Sequence, residues 1–148
     1  MGQLDNVAHP AVARSVNLWH EMVAAKDLSR LPSIVHPDAV FRSPVAVTAY
    51  NSRAAVILAL NTVLTVFEDF VYYRELVTPD GLNVVLEFSA VVSGKRLKGI
   101  DLIKFNEQGQ IVEFEVMVRP LSGLQALAQA MGAKIGDKLP AFKDKAKL

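Results

Sequence analysis

Read at a period of two, residues 97–105 alternate cleanly: Leu97, Gly99, Asp101, Ile103 and Phe105 share one face, and Lys98, Ile100, Leu102 and Lys104 share the other. Residues 111–119 repeat the pattern, with Val112, Phe114, Val116 and Val118 on an unbroken apolar face and Glu113, Glu115 and Arg119 opposite, beside Ile111 and Met117. The connection Asn106-Glu107-Gln108-Gly109 places a glycine late in a short loop, where a positive φ is commonly required. The spacing therefore predicts a hairpin with a lone carboxylate, Asp101, looking inward among apolar neighbours. An ionised acid there is costly unless paired, and burial raises its pKa. Two readings follow: a structural acid satisfied by an indole, phenol or amide donor, or a neutral acid that itself donates a hydrogen bond to an oxyanion.

Two further long strands precede the hairpin. In residues 82–93, Val84, Leu86, Phe88, Ala90 and Val92 form a fully apolar face. In residues 67–78, Phe70, Tyr72 and Leu76 alternate with Val71, Tyr73 and Val77, so period alone does not decide which face is inward. Residues 39–43 form a short strand with Phe41 and Ser43 on one face, ended by Pro44 and preceded by a His36-Pro37-Asp38 turn.

Helical spacing governs the rest. Residues 10–26 carry Pro10 in the first turn and a stripe of Val12, Val16, Trp19 and Val23, widened by Leu18 and Met22. Asp27 caps a brief second helix, made irregular by Pro32, that buries Leu28, Leu31 and Ile34 or Val35. Asn51 or Ser52 caps a third helix whose stripe is Val56, Ala59, Leu60, Val63 and Phe67, and a last one follows Pro120 over residues 121–133. Helices, consecutive antiparallel strands and a closing helix make an α+β chain: a strongly bent antiparallel sheet, cone-shaped, with N-terminal helices closing an apolar pocket. Residues 1–148 read as one domain with a core at about 10–133 and a Lys-rich tail, 134–148, expected to be mobile or partner-bound.

Composition narrows the chemistry. There are no cysteines, so disulfides, thiol catalysis and cysteine metal sites are excluded. His9, His20 and His36 have no shared metal-ligand spacing, and a metal site is not expected. His20 neighbours Trp19 and so points about 100° away from it on the helix. A net charge of +1 argues against a nucleic-acid surface. No apolar run reaches membrane-spanning length and the first residues lack a signal-peptide pattern, so a cytoplasmic protein without membrane contact is expected.

Two segments, DLSRLPSIVHPDAVFRSP (27–44) and GIDLIKFNEQGQIVEF (99–114), carry a family resemblance. From about Val12 to Arg119 the chain resembles the nuclear transport factor 2-like superfamily, in its SnoaL-like polyketide cyclase and ketosteroid isomerase branch. The resemblance puts Asp101 at the isomerase's oxyanion-hole acid and near an acid of SnoaL-type cyclases. It puts Ser43 where the isomerase has its general base, and Trp19 where it has its oxyanion tyrosine. Steroid isomerisation by that route is therefore not expected. Gly99 stands where the limonene-epoxide-hydrolase branch has an arginine, which removes that mechanism too. The scaffold hosts binders and enzymes alike.

The expectation is a pocket that binds a small hydrophobic, carbonyl-bearing ligand. It is lined by Trp19, Phe41, Ser43, Tyr50, Tyr72, Leu86, Phe88, Phe114 and Val118, with Asp101 as its polar anchor. The alternative is a cyclase, isomerase or dehydratase using Asp101 as acid/base or oxyanion donor, with no cofactor required. The half-apolar sheet face of Val85, Val91, Ile111 and Met117 is expected to pair with a second copy, giving a homodimer.

Overall fold

A computed structural model describes residues 7–142. Helix α1 (Pro10–Ala25) starts where the His9 ring accepts the Ala11 N–H at 3.3 Å and stops where Lys26 turns left-handed at φ 54°. Its stripe of Val12, Val16, Trp19 and Met22 is buried. Asp27 does accept the Ser29 N–H, at 2.9 Å, but Pro32 limits the second helix to a single 3-10 turn, Leu31–Ile34.

Strand β1 (Val35–Arg42) follows, then the two-residue β2 (Tyr50–Asn51), helix α2 (Arg53–Val66), and strands β3 (Glu68–Val77), β4 (Asn83–Val92), β5 (Lys95–Phe105) and β6 (Ile111–Arg119). Helix α3 (Leu121–Ile135) and a 3-10 turn (Leu139–Phe142) complete the described chain. The sheet order is β2-β1-β6-β5-β4-β3. Four of the five pairings are antiparallel, as expected, but β1 lies parallel to β6, so the sheet is mixed. His36, Pro37 and Asp38 fall inside β1 and not in a turn before it. The irregularity that their pattern signals is a bulge between Val35 and Val40.

Two more bulges decide which side chains face inward. Tyr72 pairs with Phe88 and Arg74 with Glu87, so β3 carries an extra residue at Tyr73, beyond an earlier register shift between Glu68 and Val71. Phe70 and Tyr72 point in before the bulge; Glu75 and Val77 are the shielded positions after it, and Leu76 is exposed. In β6, Lys104 pairs with Glu113 but Phe105 with Ile111, so Val112 is bulged and Ile111 is buried at 1 % exposure. Ile111 is thus core, and not part of the outer sheet face expected of it. The β5–β6 turn needs its glycine: Gly109 has φ 78°, and a Cβ there would lie 2.5 Å from the Ala11 carbonyl oxygen. The Ser15 hydroxyl donates to the Gly109 carbonyl at 2.6 Å, pinning the turn to α1.

The apolar face of β4 and the inner face of β5 are buried under the helices, forming two adjoining clusters. Helix α3 runs two residues past its expected end, with Ile135 only 3 % exposed, and Lys134 Nζ donates to Thr65 Oγ1 at 2.8 Å. Residues 134–142 therefore pack on the domain and are no free tail, because Ile135 and Leu139 supply apolar contacts that the lysine count conceals. Lys143, Lys145 and Lys147 lie outside the described residues.

Candidate functional site

Between the helices and the inner face of the sheet is a cavity of about 240 Å³. Of the residues expected at the site, Trp19 from α1, Phe41 from β1, Tyr50 from β2, Tyr72 from β3, Asp101 from β5 and Ser43 after β1 all line it. Four expected lining residues do not. Phe114 is covered by the Trp19 indole, centroids 5.6 Å apart, and by Phe41 at 6.3 Å. Leu86, opposite Asp101 on β4, is wholly buried. Phe88 is drawn under Gly99, where a Cβ would sit 2.4 Å from its ring. Val118 packs with that second cluster and borders a groove on the opposite face of the sheet.

The walls that replace them come from α2 (Leu60, Val63, Leu64), from Phe67 and Phe70, from Val116, and above all from α3 and its extension, through Leu127, Met131, Ile135 and Leu139. The α2 stripe and the α3 helix were visible in the sequence. Their convergence on one hollow was not, because helical spacing fixes a face and not the partner it meets.

The polar corner is small and buried. Asp101 is 6 % exposed, between Leu86 on β4 and Val116 on β6. The Tyr72 hydroxyl donates to Asp101 Oδ2 at 2.5 Å, and the Trp19 indole N–H donates to the Tyr72 oxygen at 3.0 Å. Among the described residues no protein group bonds Asp101 Oδ1. Burial pushes the Asp101 carboxyl up to about 7, against the pull of the Tyr72 hydrogen bond. Burial and the facing Asp101 carboxylate push the Tyr72 phenol well above its ordinary value.

Ser43 borders the cavity, but its Oγ accepts the Val45 N–H at 3.2 Å within its own loop. Among the described residues the cavity lining thus holds one carboxylate and no basic side chain. A phenol does stand beside the acid, delivered by β3 and not by the first helix. The bulge at Tyr73 made this contact illegible from strand period.

One buried acid held by a phenol, on helices wrapped by a mixed sheet, places the cavity in the nuclear transport factor 2-like class of folds. Residues 16–114 match the SnoaL-like domain family, and the chain belongs to it. Its fold also matches a crystal structure described as a steroid delta-isomerase from Pseudomonas aeruginosa, at 53% identity and a TM-score of 0.86, covering 90% of this chain and 97% of that one. An uncharacterised Silicibacter pomeroyi protein with a cystatin-like fold matches at 31% identity, TM-score 0.81, covering 95% and 99%. The epoxide hydrolase/cyclase-like enzyme SalBIII, which acts in pyran ring formation in salinomycin, shares the fold at 18% identity and a TM-score of 0.61, over 74% of this chain and 91% of its own. No match is found among curated proteins.

Proposed function

We propose that the cavity binds a small, uncharged, apolar molecule carrying a carbonyl or similar oxygen, with neutral Asp101 as the hydrogen-bond donor. The carrying observation is Asp101 itself: Oδ2 is bonded by Tyr72, Oδ1 has no protein partner among the described residues, and the carboxyl holds its proton to about neutrality. An anionic guest would meet no cation among the described residues, since none of the Lys, Arg or His there lines the cavity. At about 240 Å³ the space equals roughly eight water molecules, which suits a guest of about ten heavy atoms. The test is titration of the protein with a ten-carbon cyclic enone such as carvone, followed by NMR. Shifts confined to cavity residues, lost in Asp101→Asn, are expected; saturable binding that ignores Asp101→Asn sinks the reading.

Proton transfer by Asp101 is the second reading. A carboxyl titrating near 7 has both forms present at neutral pH, and the 53% identical structure is described as an isomerase. As carboxylate, Asp101 would take a proton from the carbon beside the carbonyl and, as acid, return it to the γ-carbon. A single acid cannot remove that proton and donate to the carbonyl oxygen at the same moment, which is why binding is placed first. Deuterium uptake at that carbon in D2O, faster with the protein than with Asp101→Asn, is the expected sign; equal rates end this reading.

We also propose that the outer sheet face pairs with a second copy. The exposed Val71, Tyr73 and Met117 on that face support it. A monomer by sedimentation at high concentration overturns it.

A further inference from the structure

Trp19 and His20 are consecutive on α1, and both reach Tyr72. The indole N–H bonds the phenol oxygen, while the His20 ring meets the phenol ring edge to face, centroids 5.2 Å apart and planes at 81°. His20 Nε2 also bonds the Glu75 carboxylate at Oε1. The Glu75 side chain is only 6 % exposed, although β3 is the edge strand of the sheet with β4 as its single neighbour. Without the extra residue at Tyr73, Glu75 would face the opposite side from Tyr72, because they lie three positions apart. The bulge turns it back under α1.

A shielded carboxylate on a free edge costs stability unless it is bonded, and His20 is the side chain that bonds it. Trp19–Tyr72 and His20–Glu75 are the two side-chain hydrogen bonds joining α1 to β3 among the described residues.

We infer that His20 and Glu75 form a positioning clamp that holds the edge strand β3 against α1, so that the Tyr72 hydroxyl stays on Asp101. His20 and Glu75 touch neither Asp101 nor the cavity; they act through Tyr72. Among the described residues Tyr72 is the one titratable group bonded to Asp101. The elements packed around that carboxylate otherwise present Trp19, Leu86 and Val116, none of which titrates. Because the Tyr72 bond holds the Asp101 pKa down, loosening the clamp raises it. The inference is independent of what the cavity binds.

The experiment follows the Asp101 side-chain carboxyl by ¹³C NMR against pH in protein labelled at aspartate, with no ligand present. Tyr72→Phe sets the upper limit by deleting the bond. His20→Ala and Glu75→Ala are each expected to raise the midpoint by more than half of the Tyr72→Phe shift. Glu75→Gln, which can still bond His20, is expected to stay near wild type. In a Tyr72→Phe background, His20→Ala should add nothing. A midpoint unchanged or lowered in a folded His20→Ala or Glu75→Ala protein overturns the clamp. So does an additive effect in the double variant, or global unfolding of both single variants.

Discussion

Tyr72 and Tyr73 are neighbours on β3, and each donates its hydroxyl to a carboxylate on the same sheet. Tyr72 meets Asp101 on the inner face at 2.5 Å, and Tyr73 meets Glu87 on the outer face at 2.9 Å. The two carboxyls move in opposite directions. Asp101 is pushed up to about 7 by burial. Glu87 is held below its ordinary range, chiefly by the Arg74 guanidinium bonded to it, with the Lys98 charge adding to the effect. Lys98 also sits 5.4 Å over the Tyr73 ring. A phenol–carboxylate hydrogen bond therefore does not determine the acid's state. Burial and a bonded cation do: Asp101 is buried, and among the described residues no cation bonds it, whereas Arg74 bonds Glu87.

The sharpest way to break this comparison is Asp101→Asn. Between about pH 4 and pH 7 the native protein keeps a proton on Asp101 that the unfolded chain, at an ordinary 3.8, has released. Wild-type stability therefore falls as pH rises through that window, and the asparagine variant is spared the fall. Relative to wild type it should gain on the order of 4 kcal/mol between pH 4 and pH 8, read from urea unfolding at both. A difference that does not vary with pH would show that the carboxyl is not raised at all.

Tyr72→Phe comes next. It leaves the Trp19 N–H without its acceptor and should cost about 1–3 kcal/mol in urea unfolding. Gly99→Ala should cost a similar amount, about 1–3 kcal/mol, because its methyl meets the Phe88 ring and the Met117 carbonyl oxygen. A neutral result would mean that Phe88 can move aside. The smallest effect is expected outside. Arg74→Ala should let the Glu87 carboxyl rise toward its ordinary value while leaving the Asp101 titration and the melting temperature as in wild type, checked by the same carboxyl NMR.

The contrast between these faces also explains what the sequence conveys. β4 and β5 are read correctly because one face of each is all apolar, apart from Asp101, and the other carries charges. β3 is not, since Phe70 and Tyr72 are no more apolar than Val71 and Tyr73, and its bulge exchanges the phases midway. Glu75 is the extreme case: a shielded acid that no hydrophobic pattern signals. Strand period turned Asp101 inward, and the resemblance to known relatives set Trp19 and Ser43 at the same site. It could not show that the indole serves Tyr72 or that Ser43 serves its own loop, because those are hydrogen-bond directions and not positions. The α3 wall was not legible for another reason: Ile135 and Leu139 stand singly among Lys134, Asp137 and Lys138 and form no apolar run.

The parallel contact between β1 and β6 has a kinetic consequence. Val40 finds Glu113 and Phe41 finds Phe114 only after most of the polypeptide has been made, so the seam that unites the two halves of the sheet is a late event. The β3–β4–β5–β6 meander, joined by short reversals, is free to assemble earlier. Until β1 docks, β6 presents an open, apolar-rich border, the state in which this chain is most exposed to aggregation.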